Sequence, residues 1–190
     1  MMSGPQLSFT HRKTVQTLPS EKPGGMIVYP RQISTVASAS DVFRVLTGLG
    51  GETGWLYANI LWRLRGYFDV LIGGPGLRRG RRYANELRVG DFLDFWRVEA
   101  LIPNQLLRLR AEMKVPGKAW LEFEIIPQDE SRVRIMQTAY FEPAGLPGLL
   151  YWYILYPIHI AIFQGMINAI AHKAESLSHS NDGSIAVLPI

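Results

Sequence analysis

The chain has 190 residues, 47% of them hydrophobic and 19% charged, which suits one domain with a sizeable core and a partly apolar surface. Twenty Lys and Arg against sixteen Asp and Glu leave a net charge of +4, too mild for a dedicated nucleic-acid binder. Cysteine is absent, which excludes disulfides, thiolate metal sites, iron–sulfur clusters and cysteine nucleophiles.

Residues 1–25 carry no apolar run and read as a tail rich in Ser, Thr, Pro and Gly rather than a secretory signal. A cytoplasmic protein is expected. Met26–Val36 is β-branched and extended, and Pro30 marks it as an edge strand. Ser40-Asp41 starts a helix through VFRVLTGL that Gly50-Gly51 stops. Trp55–Ile72 (WLYANILWRLRGYFDVLI) predicts a second helix with Asn59, Arg63 and Gly66 on its polar stripe. Gly73-Gly74-Pro75-Gly76 ends it.

The period then changes from 3.6 to 2. A short strand is expected at Arg81–Leu87, followed by strands at Phe92–Ile102, Gln105–Met113, Lys118–Pro127 and Arg132–Glu142, separated by short turns. Such spacing implies an antiparallel meander. The window Pro143–His172 holds no Asp, Glu, Lys or Arg, so a spanning or membrane-surface helix has to be weighed. At about 100° per residue, Gln164, Asn168 and His172 fall on one stripe, while Trp152, Tyr156, Phe163, Met166 and Ile170 gather around His159 on the other. That two-sided wheel favours a mostly buried terminal helix. Residues from Leu177 onward read as a second tail, leaving 26–176 as the domain. The element order predicts an α+β fold: a curved antiparallel sheet of about six strands gripping a long C-terminal helix, with two helices between the first and second strands. A sheet wrapped on a helix leaves room for a cavity between them.

Alternation assigns the faces. Leu107, Leu109, Ala111 and Met113 point inward, as do Ala119, Leu121, Phe123 and Ile125, and then Val133, Ile135, Gln137, Ala139 and Phe141. Arg108, Arg110, Glu112, Glu122, Glu124, Arg132 and Arg134 form an outer charged ladder on a solvated face. Charge matching places Arg97 and Glu99 with that ladder, so Phe92, Asp94, Trp96, Val98 and Ala100 are expected inside, and Leu93 and Phe95 outside. The inner face then gathers Asp94, Gln137 and His159. An Asp94–His159 pair would be the most economical way to bury the carboxylate, and would raise the imidazole pKa. Each of the three also has a plain structural reading as a satisfied core polar group.

Other motifs carry little. The glycines of GGPGLRRG follow a helix and precede a strand, the wrong context for a dinucleotide or phosphate loop. The four histidines lack H-x-x-x-H spacing, so no metal site is expected, and no G-x-S-x-G elbow is present. Arg78, Arg79, Arg81, Arg82 and Arg88 make one dense basic patch, read first as a solvated face and second as an anion site; no nucleic-acid partner is expected.

The strings GWLYANILWRLRGYFDVLIGGPGLRRGRR, LRVGDFLDFWRVE, RLRAEMKVPGKAWLEFEI and QTAYFEPAGLPGLLYWYILYPIHIAIF resemble an uncharacterised domain usually found C-terminal to NmrA-like, short-chain-dehydrogenase-type NAD(P)-binding domains. The resemblance spans roughly Gly48 to His172. More widely it is similar to the helix-grip superfamily of START lipid carriers, polyketide cyclases and pollen-allergen-like carriers. This resemblance implies a hydrophobic cavity between sheet and helix. No NAD(P)-binding half is expected from the residues before Met26, and no cofactor is assigned.

Three functions compete. In the first, a small hydrophobic or ring-bearing ligand sits in the cavity, walled by Trp96, Phe141, Tyr156 and Phe163 and oriented by Asp94, Gln137 and His159. In the second, Asp94 and His159 act as acid and base of a cyclase, dehydratase or isomerase in the same cavity. In the third, Leu93 and Phe95 build a homodimer interface or a docking face for a separate NAD(P)-binding oxidoreductase.

Overall fold

The computed structural model describes residues 25–50, 53–77, 87–129 and 132–185. The elements run β1 (Ile27–Thr35), α1 (Ala39–Thr47), α2 (Asn59–Leu71), β2 (Phe92–Leu93), β3 (Trp96–Ile102), β4 (Leu106–Ala111), β5 (Gly117–Pro127), β6 (Val133–Pro143) and α3 (Gly145–Ile185). One antiparallel sheet has the order β1-β6-β5-β4-β3-β2, with α1 and α2 inserted between its first two strands. This is the α+β helix-grip arrangement. All but Leu87 of the expected strand at Arg81–Leu87, residues 1–24 of the N-terminal tail and four of the patch arginines (Arg78, Arg79, Arg81, Arg82) lie outside the described residues.

Among the described residues the sheet ends at β1 on one side and at the two-residue β2 on the other. Pro30 sits in β1, where a missing N–H is tolerated because an edge strand has a side with no partner. The inner face matches the alternation over β4, β5 and β6. Leu107 stands opposite Phe123 and Leu109 opposite Leu121, while Ile125 faces Ile135 and Ala119 faces Phe141. Against this surface α3 buries Ile162, Phe163, Met166, Ile167, Ile170, Ala171 and Ala174, and α1 closes one end with Val42, Val45 and Leu46.

The N-terminus of α1 is fixed by local chemistry. Ser38 caps its N-terminus by accepting from Asp41 N at 3.1 Å. The buried Asp41 carboxylate in turn accepts from Ser178 at 2.8 Å. That bond pins the far turns of α3, which continues to Ile185 rather than loosening at Leu177.

Three expectations are corrected. The run Phe92–Ile102 is not one strand. Asp94 has φ +54°, a left-handed conformation that Asp tolerates, and the chain turns there, pairing Leu93 with Trp96 and Phe92 with Arg97. Leu93 and Phe95 are therefore buried, not outward, and the Arg97 guanidinium lies 4.3 Å over the Phe92 ring. A bulge between Val98 and Ala100 shifts the phase again, so Leu101 faces Leu107 inside and Ala100 joins Arg108 outside. Second, the outer ladder is not wholly solvated. Arg108 and Glu122 are buried as a charge-assisted pair, and Tyr140 donates to Glu122 at 3.1 Å.

Third, the two long helices are more exposed than their sequences suggest. The buried line of α2 is narrow, running Trp62, Gly66 and Asp69, so Gly66 belongs to the packed side rather than a solvent stripe. Ile60, at 73% exposure, and Tyr67, Phe68 and Leu71 are left out in solvent. On α3, Leu146 is 80% exposed, with Leu150, Tyr153 and Ile154 beside it. By length and composition α3 could cross a membrane, and only 33% of its most apolar window is buried.

Candidate functional site

A cavity of about 310 Å³ lies between the sheet, α2 and the first half of α3. Its floor is the inner face of β5 and β6 at Ala119, Ala139 and Phe141. Trp96 of β3 and Met113 and Val115 of the β4–β5 turn close one side. It opens between α2 and α3, where Leu61, Leu64, Phe68 and Ile158 both line it and reach solvent. That volume is at the lower end of the range that holds a small-molecule ligand, about 300–1,000 Å³, and suits one small ring-bearing molecule.

One wall is a row of rings. Phe141 stacks on Trp152 at 5.5 Å and 14°; Trp152 meets His159 at 5.0 Å, and His159 stacks on Phe163 at 5.5 Å and 18°. Trp152, His159 and Phe163 share a helix face because seven and four residues separate them. A second aromatic group backs the other side: Trp55, Trp62, Phe95 and Trp96 lie in mutual ring contact at 5.3–6.3 Å.

Polar atoms on this apolar lining are few. The indole nitrogens of Trp62, Trp96 and Trp120 and Nδ1 of His159, all on lining residues, are buried without a hydrogen-bond partner. Burial alone pushes the His159 pKa down to about 4, so its ring is neutral at ordinary pH. This reverses the direction expected from pairing with an acid. Arg65, also on the wall, is occupied elsewhere: it donates to the Lys114 carbonyl at 2.7 Å and lies 3.4 Å from Asp69. Asp69 orders the loop after α2 by accepting from Gly76 N at 2.9 Å and from Lys114 N at 2.7 Å.

The structure places Trp96, Phe141, His159 and Phe163 around the cavity. It does not bring Asp94, Gln137 or Tyr156 to the wall. Asp94 lies in the β2–β3 turn, where it accepts from the Trp55 indole N–H at 2.8 Å, and no hydrogen bond joins it to His159. Tyr156 packs edge-on against Tyr29 at 5.6 Å, toward β1. Gln137 is on the inner face but one pleat further along β6 than Ala139, under the gripped half of α3. The sequence reading passed over Trp62, Tyr151 and Trp152 as site residues. For Trp152 a signal existed: it lies two helical turns from His159. For Trp62 no signal existed, because α2 is aromatic or aliphatic on most of its circumference.

Among solved structures, the chain is similar to a point mutant of norcoclaurine synthase from Thalictrum flavum in complex with a transition-state analogue. The TM-score is 0.51 at 12% identity, over 80% of this chain and 96% of that one. It is also similar to the Zhui aromatase/cyclase from Streptomyces sp. R1128 (TM-score 0.49, 19% identity, 80% and 94% covered). A START superfamily protein from Mycobacterium smegmatis gives a TM-score of 0.48 at 13% identity, over 80% and 99%. At these identities the norcoclaurine synthase likeness is one of fold, and it agrees with the sheet order and gripping helix described above. No curated protein matches the chain in sequence. Residues 28–166 match DUF2867, a family of proteins of unknown function, and the chain belongs to that family.

Proposed function

We propose that this DUF2867 protein binds a small, ring-bearing apolar ligand in the cavity between its sheet and α3. The observation that carries the reading is the lining itself: aromatic walls whose residues carry the buried, unpartnered N–H groups of Trp62, Trp96 and Trp120 and Nδ1 of the neutral His159. Buried polar groups are normally satisfied. Three donors and one imidazole nitrogen around an apolar hollow suit a ligand with carbonyl or hydroxyl groups on a ring framework, held by hydrophobic area and oriented by a few hydrogen bonds. The norcoclaurine synthase of similar fold was solved in complex with a transition-state analogue, and a ligand cavity in this chain is consistent with that.

The acid–base reading keeps only half of its machinery. His159 is on the wall, while the Asp94 carboxylate is committed to Trp55. A binding protein is therefore favoured over a cyclase, dehydratase or isomerase. The test is a thermal-shift screen of quinones, aromatic polyketones, sterols and fatty acids, since a ligand bound only by the native state raises Tm. At least one class should raise Tm in the wild-type protein, and Ala139→Phe, which fills the cavity, should remove the shift. No shift with any class would overturn the reading.

A second reading follows from the exposed apolar rim of α2 and α3, since large exposed apolar patches mark interaction surfaces. Leu93 and Phe95 cannot supply it, being buried. The rim supports docking on a separate NAD(P)-binding oxidoreductase or self-association into a dimer. Sedimentation of the purified chain, alone and mixed with such an oxidoreductase, tests it; a monomer in both samples removes it.

A further inference from the structure

Two exposed apolar stripes flank the mouth of the cavity. On α2, Ile60, Leu64, Tyr67, Phe68 and Leu71 recur at helical spacing and all reach solvent. On the first half of α3, Leu146, Leu150, Tyr153 and Ile154 do the same. The stripes meet at the opening, where Leu64 and Phe68 of one helix and Ile158 of the other line the cavity and are exposed. So wide an apolar surface is rare on a protein that meets only water.

Charge selects the occupant. No Asp, Glu, Lys or Arg lies between Pro143 and His172. The one carboxylate of α2, Asp69, is 0% exposed and accepts from Gly76 N and Lys114 N. The exposed charge on α2 is a cation, Arg63, one turn from Ile60 and from Tyr67, and exposed Lys114 lies against the same helix, its carbonyl accepting from Arg65. Glu142, which precedes α3, is paired with Lys118 at 3.3 Å. Aliphatic stripes that bear tyrosines, with cations beside them and no carboxylate on them, match the interfacial zone of an anionic bilayer.

The second half of α3 sets the geometry. Met166, Ile167 and Ile170 are 0% exposed in the grip of the sheet, so α3 cannot span a bilayer without dismantling the core. It can lie on one. We infer that the chain docks on an anionic lipid surface through these two stripes, with the cavity mouth facing the bilayer. Taken with the ligand-binding reading, on which this part rests, the ligand is a membrane-dissolved molecule that enters the cavity without crossing water.

Flotation with vesicles of phosphatidylcholine, alone or mixed two to one with phosphatidylglycerol, tests it. The wild-type chain should float with the mixed vesicles, and at least threefold less with the neutral ones. Ile60, Leu150 and Ile154 are 73%, 62% and 64% exposed, and none lines the cavity. The triple change Ile60→Gln, Leu150→Gln and Ile154→Gln should therefore keep the wild-type Tm and cut flotation at least tenfold. Arg63→Gln should lower binding to the mixed vesicles threefold or more and leave binding to the neutral ones within twofold. A wild-type chain that floats with neither vesicle overturns the docking; if it sediments as a dimer, the rim is a contact between copies instead. Flotation that survives the triple change, or that shows no preference for the anionic vesicles, overturns it as well. Flotation needs no ligand, so its failure and that of the cavity reading are read separately.

Discussion

The indole N–H of Trp55 donates to the Asp94 carboxylate at 2.8 Å, with both side chains buried. This bond ties the segment before α2 to the β2–β3 turn, behind one wall of the cavity. Asp94→Asn keeps an acceptor oxygen and a residue type that tolerates φ > 0. Asp94→Ala leaves the indole donor unpaired, at about 1–3 kcal/mol, and adds roughly 1–2 kcal/mol for alanine in a left-handed conformation. Urea unfolding should show Asp94→Asn close to wild type and Asp94→Ala well below it. If Asp94→Asn abolished ligand turnover while folding normally, the acid–base reading would return.

His159 links stability to pH with a definite sign. Burial holds its folded pKa down at about 4, against about 6.5 in an unfolded chain. Between those values the unfolded state takes up a proton that the native state refuses, so stability falls as pH is lowered from about 6.5 toward 4. Replacing the imidazole with the non-titrating ring of His159→Phe should remove that contribution, on the order of 2–3 kcal/mol. Chemical denaturation at pH 7 and at pH 4.5 measures it. An equal loss of stability in both proteins would contradict the assignment.

On the sheet's outer face, Arg108 and Glu122 are buried together. The Tyr140 phenol is pushed up to about 12, first by burial and then by the Glu122 carboxylate that accepts its proton in a hydrogen bond. Removing one member strands the other charge. Glu122→Leu is expected to cost about 3–5 kcal/mol, whereas the double change Arg108→Met with Glu122→Leu should recover most of that loss. A double-mutant cycle by urea unfolding gives the coupling. Strictly additive losses would mean the pair contributes nothing as a pair.

Gly165 marks the closest approach of α3 to the segment leading into α2. A Cβ there would overlap the Tyr57 ring. Alanine is favoured over glycine in a helix by about 1 kcal/mol, and overpacking costs about 1–3 kcal/mol. Gly165→Ala should therefore be neutral to destabilising in the wild-type background, and stabilising once Tyr57→Ala has removed the ring. Thermal melts of the four variants decide the sign.

Much of this architecture was legible because burial repeats with the period of each element. The inner faces of β4, β5 and β6 and the buried side of the second half of α3 follow directly from alternation and from the helical wheel. Asp94 was misplaced for a physical reason. FLDFW is an apolar, aromatic-rich run that reads as continuous with RVEALI, and Asp-Phe lacks the Asn-Gly or Asp-Gly signature that usually announces a two-residue turn. The bulge after Val98 added a second phase change that composition does not mark. Alternation also says which face a residue takes but not how deeply it is covered, so Arg108 and Glu122 read as solvated. The exposed side of α2 failed in the opposite sense, because an aromatic helix surface looks like core whether or not anything covers it. Gln137 was placed on the correct face.

The ends of the sheet restrict how these molecules can meet one another. Among the described residues, a two-residue β2 and a β1 that carries Pro30 give a second molecule little backbone to zip onto. Association between copies must then run through side chains, which makes it sensitive to single surface substitutions and reversible on dilution. The same ends protect crowded chains from the ribbon-like stacking that long unpaired strands invite.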